Sequence, residues 1–281
     1  MVHSHCRAAE ELVRAGGGES LPWRDVVLTS HFQPIYGIQR ESCVGYEALV
    51  RANDGAGRPV APHALFEAAF RAGHGVELDW VCRALHLRNF ARVDPGDRKL
   101  SINIHSQAAM QDFPAAGEFS DLVRFYGLSP KRVCVEILED SCGDESALRK
   151  TVAAYRRAGA AIAMDDFGIG RSNFDRIVAL RPDVVKIDRS ILIDAVGDLK
   201  ARRMLPAIIE LLHETGAEVA VEGIESASEA MIAIDSGADH LQGHYFAQPA
   251  AQLADEAYGA SVITRLMRMR VGVGRYAAVG D

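Results

Sequence analysis

Residues Ala160–Gly170 read AAIAMDDFGIG. An apolar run ends in two adjacent carboxylates, Asp165 and Asp166, and breaks at Phe167-Gly168. Successive strand residues point to opposite faces, so both Asp side chains cannot point inward from a regular strand. The pleat must break there, and a glycine permits it. Two carboxylates forced together repel, which raises one pKa. A divalent cation removes that cost. Two cations about 3.5–4 Å apart, bridged by one carboxylate, use both residues and clamp a phosphoryl oxygen and a water.

Other short β-branched runs share this design, with polar residues near their C-terminal ends. Glu47 lies in GYEALVR, Asn103 in SINIH, Glu136 in VCVEIL, Lys186 in VVKID, Glu222 in VAVEG and Gln242 in HLQGH. Each is costly in a dry core without partners. The full set of candidate strands is HFQPIYGI, VGYEALVR, LSINIH, RVCVEILE, AAIAMDDF, VVKIDRS, AEVAVEGI and HLQGHYFA. Helix-period stretches lie between them: PHALFEAAFRAG, ELDWVCRALHLRNFARV, DESALRKTVAAYRRAG and ARRMLPAIIELLHETG. The short link QRES joins the first two strands as a hairpin. After it, strand and helix alternate, which implies a parallel sheet, and eight strands imply a closed barrel. The strand ends then converge on one face, where catalytic residues of such barrels sit. A Glu, Asn, Glu, Asp, Asp set is hard-oxygen chemistry that suits Mg²⁺ or Mn²⁺ and is poor for Zn²⁺.

The chain has 281 residues, 48% hydrophobic and 25% charged, enough for one large domain with a full core. Its net charge of −7 argues against a broad grip on duplex nucleic acid. Cysteines at 6, 43, 82, 134 and 142 form no C-x-x-C pair, which reads as reduced thiols in the cytoplasm. MVHSHCRAAEELVRAGGGES lacks the apolar core of a signal peptide, and no run is long enough to span a bilayer. The expected organisation is an extension over 1–25 (a leader with a short helix), a barrel over 26–258, and a helix with a poorly ordered tail over 259–281.

The segments FQPI, YEALVR, SINIH, VEILED, MDDFGIG, VKIDRS, VEGIE and QGHYFAQP follow one another from Phe32 to Pro249. In this order they resemble the EAL-domain family of cyclic di-GMP phosphodiesterases. The resemblance implies a modified (β/α)8 TIM-like barrel with one antiparallel strand, in agreement with the hairpin. It implies that Glu47, Asn103, Glu136 and Asp165 ligate a first Mg²⁺ or Mn²⁺ ion. Asp165 would bridge to a second ion served by Asp166 and Glu222. Lys186 would hold the attacking water, with Glu222 nearby as proton acceptor. Gln33, Leu49, Arg51 and Gln242 would contact substrate, and Glu139 would anchor the loop after its strand. The implied reaction is hydrolysis of one phosphodiester of cyclic di-GMP to linear pGpG, in a homodimer paired near the segment after Asp166. Where the family reads DDFGTGYSS, this chain reads DDFGIGRSN, and QGH replaces QGY or QGF.

Competing readings are a non-catalytic cyclic di-GMP receptor and a protein-interaction module on the same fold. The DFG at Asp166–Gly168 has no kinase Gly-rich loop or H-R-D segment beside it. His240 and His244 fall on a strand, so their spacing does not make a shared metal pair. Asp188 and Glu225 read equally as structural or as supporting groups, and Arg265, Arg268 and Arg270 as a solvated helix face.

Overall fold

A computed structural model describes residues 9–13, 19–93, 96–111, 116–138, 145–168 and 174–277. Ten strands form one sheet: β1 (Ser20–Trp23), β2 (Val26–Gly37), β3 (Ser42–Asp54), β4 (Pro59–Val60), β5 (Lys99–Ile104), β6 (Val133–Leu138), β7 (Ala161–Phe167), β8 (Val184–Ile187), β9 (Glu218–Val221) and β10 (His240–Leu241). The order β2-β10-β9-β8-β7-β6-β5-β3 closes through β2–β3 into an eight-stranded barrel. Strand β2 runs antiparallel to both of its barrel neighbours, and the remaining barrel pairs are parallel. This is the modified barrel that the hairpin and the alternation imply. The hairpin turns at Ile38–Glu41, where Glu41 takes a φ of 49°.

The predicted strands are all present, but the last is short. A Cβ on Gly243 would lie 2.1 Å from the Ile224 carbonyl oxygen. At that close approach the chain leaves the sheet, Gln242 O accepting from Ile224 N and Ile224 O from Tyr245 N. Two flanking strands were not expected. Strand β1 lies inside the segment read as a leader and pairs antiparallel with β2. Its Leu21 and Trp23 are buried, and Trp23 Nε1 donates to Glu77 (3.2 Å). Strand β4 pairs with the end of β3. Both are too short to show a period. The final helix, Glu256–Ala277, continues through the VGVG stretch that was read as disordered. No proline interrupts that stretch, and a helical glycine costs only about 1 kcal/mol.

Helix Gly75–Val93 is buried along most of its length. The barrel covers one side, with Phe32 and Tyr46 against Phe90. The N-terminal segment covers another: Arg88 donates to Val13 O and Asn89 to Glu19 O. Within this helix Asp79 and Arg83 form a fully buried ion pair. Arg83 also donates to the Tyr155 hydroxyl (2.8 Å) and lies over the Trp80 ring (4.5 Å). Asp79 accepts from the His105 backbone N–H (2.9 Å), which ties the helix to the end of β5.

Candidate active site

The parallel strands carry their polar residues to the C-terminal end of the barrel because those residues share one period-2 series. Register places Gln33 beside Glu47, Asn103 beside Glu136, and Leu138 beside Asp165. At the AMDDF segment the pleat breaks as the paired carboxylates require. The β7–β8 register shifts between Met164 and Phe167, and Asp166 takes a φ of 60°. Its N–H turns back to donate to Asp165 Oδ1 (3.0 Å). Gly168 follows with a φ of 106°.

Glu47, Glu136 and Asp165 are buried, each offering an oxygen within 4.8 Å of the others. Asn103 Nδ2 donates to Glu47 Oε1 (2.8 Å), and Gln242 Nε2 to Glu47 Oε2 (2.7 Å). Gln242 also donates to Gln33 Oε1 (3.1 Å), and Gln33 to Ala247 O (3.2 Å). Lys186 is 2% exposed and stands among four carboxylates: Glu222 at 2.6 Å, Glu136 at 3.0 Å, Asp165 at 3.2 Å and Glu47 at 3.5 Å. Asp166 is at the edge of this group, half-buried behind Asp165.

The titration of these groups records the crowding. Glu136 is pushed up to about 8; burial is the largest cause, Lys186 opposes it, and Glu47 and Asp165 reinforce it. Asp166 rises to about 6, by burial first and by Asp165 second. Burial likewise raises Asp165 and, more strongly, Glu222. At Glu47 burial is outweighed by Lys186 and by the Gln242 and Asn103 amides, which hold it below the usual range. At Lys186 burial is outweighed by its carboxylate neighbours, so the ammonium persists. Among the described residues, five carboxylates around one ammonium leave four negative charges when ionised, matching in magnitude the charge of two divalent cations. Oxygen donors with a net deficit of positive charge fit Mg²⁺ or Mn²⁺.

Leu49 and Arg51 are not in this cluster. They continue the inward series of β3 into an adjoining cavity of about 660 Å³, and Asn103 lines it from the other side. Arg51 donates to Val50 O (2.9 Å). The sequence reading missed the rest of this wall. The His105 ring packs against Phe66 (centroids 5.6 Å apart) and Phe70 (4.1 Å), and His86 accepts or donates a bond with Ser30 Oγ (2.8 Å). His86 is held neutral, its pKa lowered to about 3 by burial and then by Arg51. One signal was available for His105, which follows Asn103 by two residues on the same strand end.

The secondary candidates have local partners or face solvent. Asp188 caps helix Arg189–Gly197 by accepting from Ser190 N. Glu225 pairs with Arg189 (2.8 Å). His240 bonds Glu218 (2.8 Å), whereas His244 is exposed. Arg265 and Arg268 are exposed, and Arg270 pairs with Asp235 (3.1 Å). Glu139 and residues 169–173 lie outside the described residues.

The sequence model of the EAL domain matches residues 24–249. The chain belongs to the EAL domain family. A cyclic di-GMP phosphodiesterase of Pseudomonas aeruginosa is 30% identical over 223 residues, which cover 78% of this chain and 38% of that protein. The EAL chain thus spans well under two thirds of this curated relative. The Bacillus subtilis YkuI protein, solved with its substrate cyclic di-GMP and calcium, superposes with a TM-score of 0.77 at 25% identity, over 89% of this chain and 63% of YkuI. Klebsiella pneumoniae BlrP1, solved at pH 6 with manganese and cyclic di-GMP, gives a TM-score of 0.73 at 25% identity, over 83% of this EAL chain and 58% of BlrP1. Among the described residues no helix is long and apolar enough to cross a membrane.

Proposed function

We propose that this EAL chain is a metal-dependent phosphodiesterase that hydrolyses cyclic di-GMP to linear pGpG. The observation that carries the reading is the buried cluster of carboxylates around Lys186, whose charge deficit equals two divalent cations. Glu47, Asn103, Glu136 and Asp165 would hold one Mg²⁺ or Mn²⁺, and Asp165, Asp166 and Glu222 the other. Such ions, when bound, supply Lewis acidity and a water acidified toward neutral pH. Lys186 Nζ is the compact donor that orients the attacking water. Glu222, 2.6 Å from that ammonium, is placed to accept the water's proton. Water oxygen bonds to phosphorus, the P–O3′ bond breaks, and the 3′ oxygen leaves as a hydroxyl by taking up the proton that Glu222 accepted from the water. Gln242 fixes Glu47 and is itself held by Gln33; both would face the substrate, and Leu49 and Arg51 would carry substrate contact into the adjoining cavity.

The partner proposed besides the dinucleotide is a second copy of the chain. Val178, Ile193, Val196, Leu199 and Met204 expose about half or more of their surface on successive helices after β7 and β8.

The test is incubation with cyclic di-GMP and Mg²⁺ or Mn²⁺, followed by chromatography of the products. Linear pGpG is expected. Tight binding without a product would make the chain a receptor, and neither binding nor product would make it an interaction module.

A further inference from the structure

The inward series of the parallel strands changes character below the carboxylates. In barrels of this type the interior is filled by layers of bulky side chains, chiefly Val, Ile and Leu. Here the lower inward positions are Gly45, Ser101, Cys134, Ala161, Ala163, Val184 and Ala220. They leave a cavity of about 540 Å³ that opens on the N-terminal face of the barrel, opposite the face toward which Glu47, Asp165 and Glu222 project. Its mouth carries exposed Arg40, Asp97, Lys99 and Glu218. Its inner wall includes Glu136 and Lys186, which are also the lower members of the acidic cluster.

An apolar cavity can stay dry, but a polar one with room and partners holds water. This wall offers the Ser101 hydroxyl, the Glu136 carboxyl and the Lys186 ammonium. Near the mouth, His240 bonds Glu218 through Nε2 and keeps a buried Nδ1 with no partner among the described residues. The volume exceeds by more than tenfold the roughly 30 Å³ share of one liquid water. Backbone packing also keeps the space open. A Cβ on Gly45 would meet the Lys99 carbonyl oxygen at 2.7 Å, so this strand position admits no side chain to fill the space.

We propose that the lower barrel lumen is a solvent-filled second entrance, for water and small neutral solutes, that reaches the underside of Glu136 and Lys186 from the N-terminal face. The acidic cluster projects toward the other face, and substrate for it lands there. If the chain hydrolyses a dinucleotide as proposed above, the lumen lets the site exchange water from below while its upper face is covered. The passage itself does not depend on that activity, and neither does its test.

Cys134 is a reporter built into the wall. Methyl methanethiosulfonate, small and neutral, converts an accessible thiolate to a methyl disulfide and releases methanesulfinate. Cys43 is the internal control, because it is equally buried and lines neither this cavity nor the one beside Arg51. Labelling at each cysteine is read by peptide mass against the same thiol in the unfolded chain. Labelling that needs the whole fold to open would proceed alike at both sites, so Cys134 is expected to react at least about tenfold faster. Val184→Phe and Ala161→Leu, both within the wall and neither altering a charge, should each bring Cys134 down toward the Cys43 rate. A still-slow Cys43 shows that the variants remain folded. Equal rates at Cys134 and Cys43 in the unaltered protein overturn the proposal. So does fast Cys134 labelling that neither plug slows, because the reagent would then be entering elsewhere.

Discussion

Two buried charged sites stand side by side in this barrel, and they are built on opposite rules. On helix Gly75–Val93, Asp79 and Arg83 are matched one to one, with the Tyr155 hydroxyl, the Trp80 ring and the His105 N–H around them. At the strand ends, Lys186 faces four carboxylates, and a fifth, Asp166, lies behind Asp165. A balanced pair with supporting hydrogen bonds can stay charged in a low-dielectric interior without an added ion. An unbalanced cluster is stable only if its carboxyls take up protons or if cations arrive. The difference teaches that charge balance, rather than burial, separates a pair complete in itself from a cluster with an excess of carboxylates.

The comparison can be broken by removing one member of each site. Glu47→Ala is expected to lower hydrolysis by orders of magnitude while the circular dichroism and melting transition stay those of a folded barrel. Unaltered turnover in the purified variant would remove Glu47 from the metal shell. Arg83→Met is expected to do the reverse. It leaves the Asp79 charge without its counter-ion, at a cost of about 3–5 kcal/mol in denaturant unfolding, with the kcat of the remaining folded protein little changed. A near-neutral stability would mean that Asp79 is satisfied without Arg83.

Lys186 sharpens the comparison, because among the described residues it is the positive charge at the centre of the unbalanced cluster. Lys186→Arg keeps the charge but exchanges a compact ammonium for a planar fork. If Lys186 orients the attacking water, the Arg variant should lose about a hundredfold or more in kcat, close to the loss in Lys186→Ala. Substantial turnover in the Arg variant would reduce Lys186 to a counter-charge. Exchange of the cation gives a milder contrast. Calcium accepts longer and more numerous oxygen contacts. It should support cyclic di-GMP binding in calorimetry while turnover drops to background, and equal rates with Ca²⁺ and Mg²⁺ would count against a tight two-ion geometry.

The barrel was legible because each strand repeats one pattern, an apolar run with a polar residue near its end. The broken pleat was legible from Asp165 and Asp166 alone, and the φ of 60° at Asp166 is its physical form. What was not legible is non-local. Nothing in VVKID says that Lys186 reaches carboxylates from β3, β6, β7 and the end of β9 at once. Likewise Phe66 and Phe70 gain meaning only when their helix sets them against His105. The small residues below the cluster read as ordinary strand positions until the closed sheet turns them toward one lumen.

Acidity gives a smaller effect with a definite sign. Glu136, at about 8, and Asp166, at about 6, bind protons more tightly in the folded than in the unfolded chain, where carboxyls titrate near 4; the Asp166 contribution is largely lost by about pH 6, and that of Glu136 extends to about 8. The stability of the metal-free protein should therefore fall as pH rises from about 6.5 to 8, above the window in which His86 acts in the opposite sense. Saturating Mn²⁺ should abolish that fall, since it replaces the protons, and melting curves across this window check it.

The most direct measurement is the melting temperature of Glu136→Gln beside that of the unaltered chain, at pH 8, each without metal and with saturating Mn²⁺. Gln keeps the shape of Glu136 and an oxygen to accept from Lys186, 3.0 Å away, but removes one charge from the excess. The account predicts that metal-free Glu136→Gln melts higher than the unaltered protein and gains much less from Mn²⁺. A metal-free variant that melts lower, with an undiminished gain from Mn²⁺, would contradict it, because the cluster would then be a balanced structural site like Asp79–Arg83.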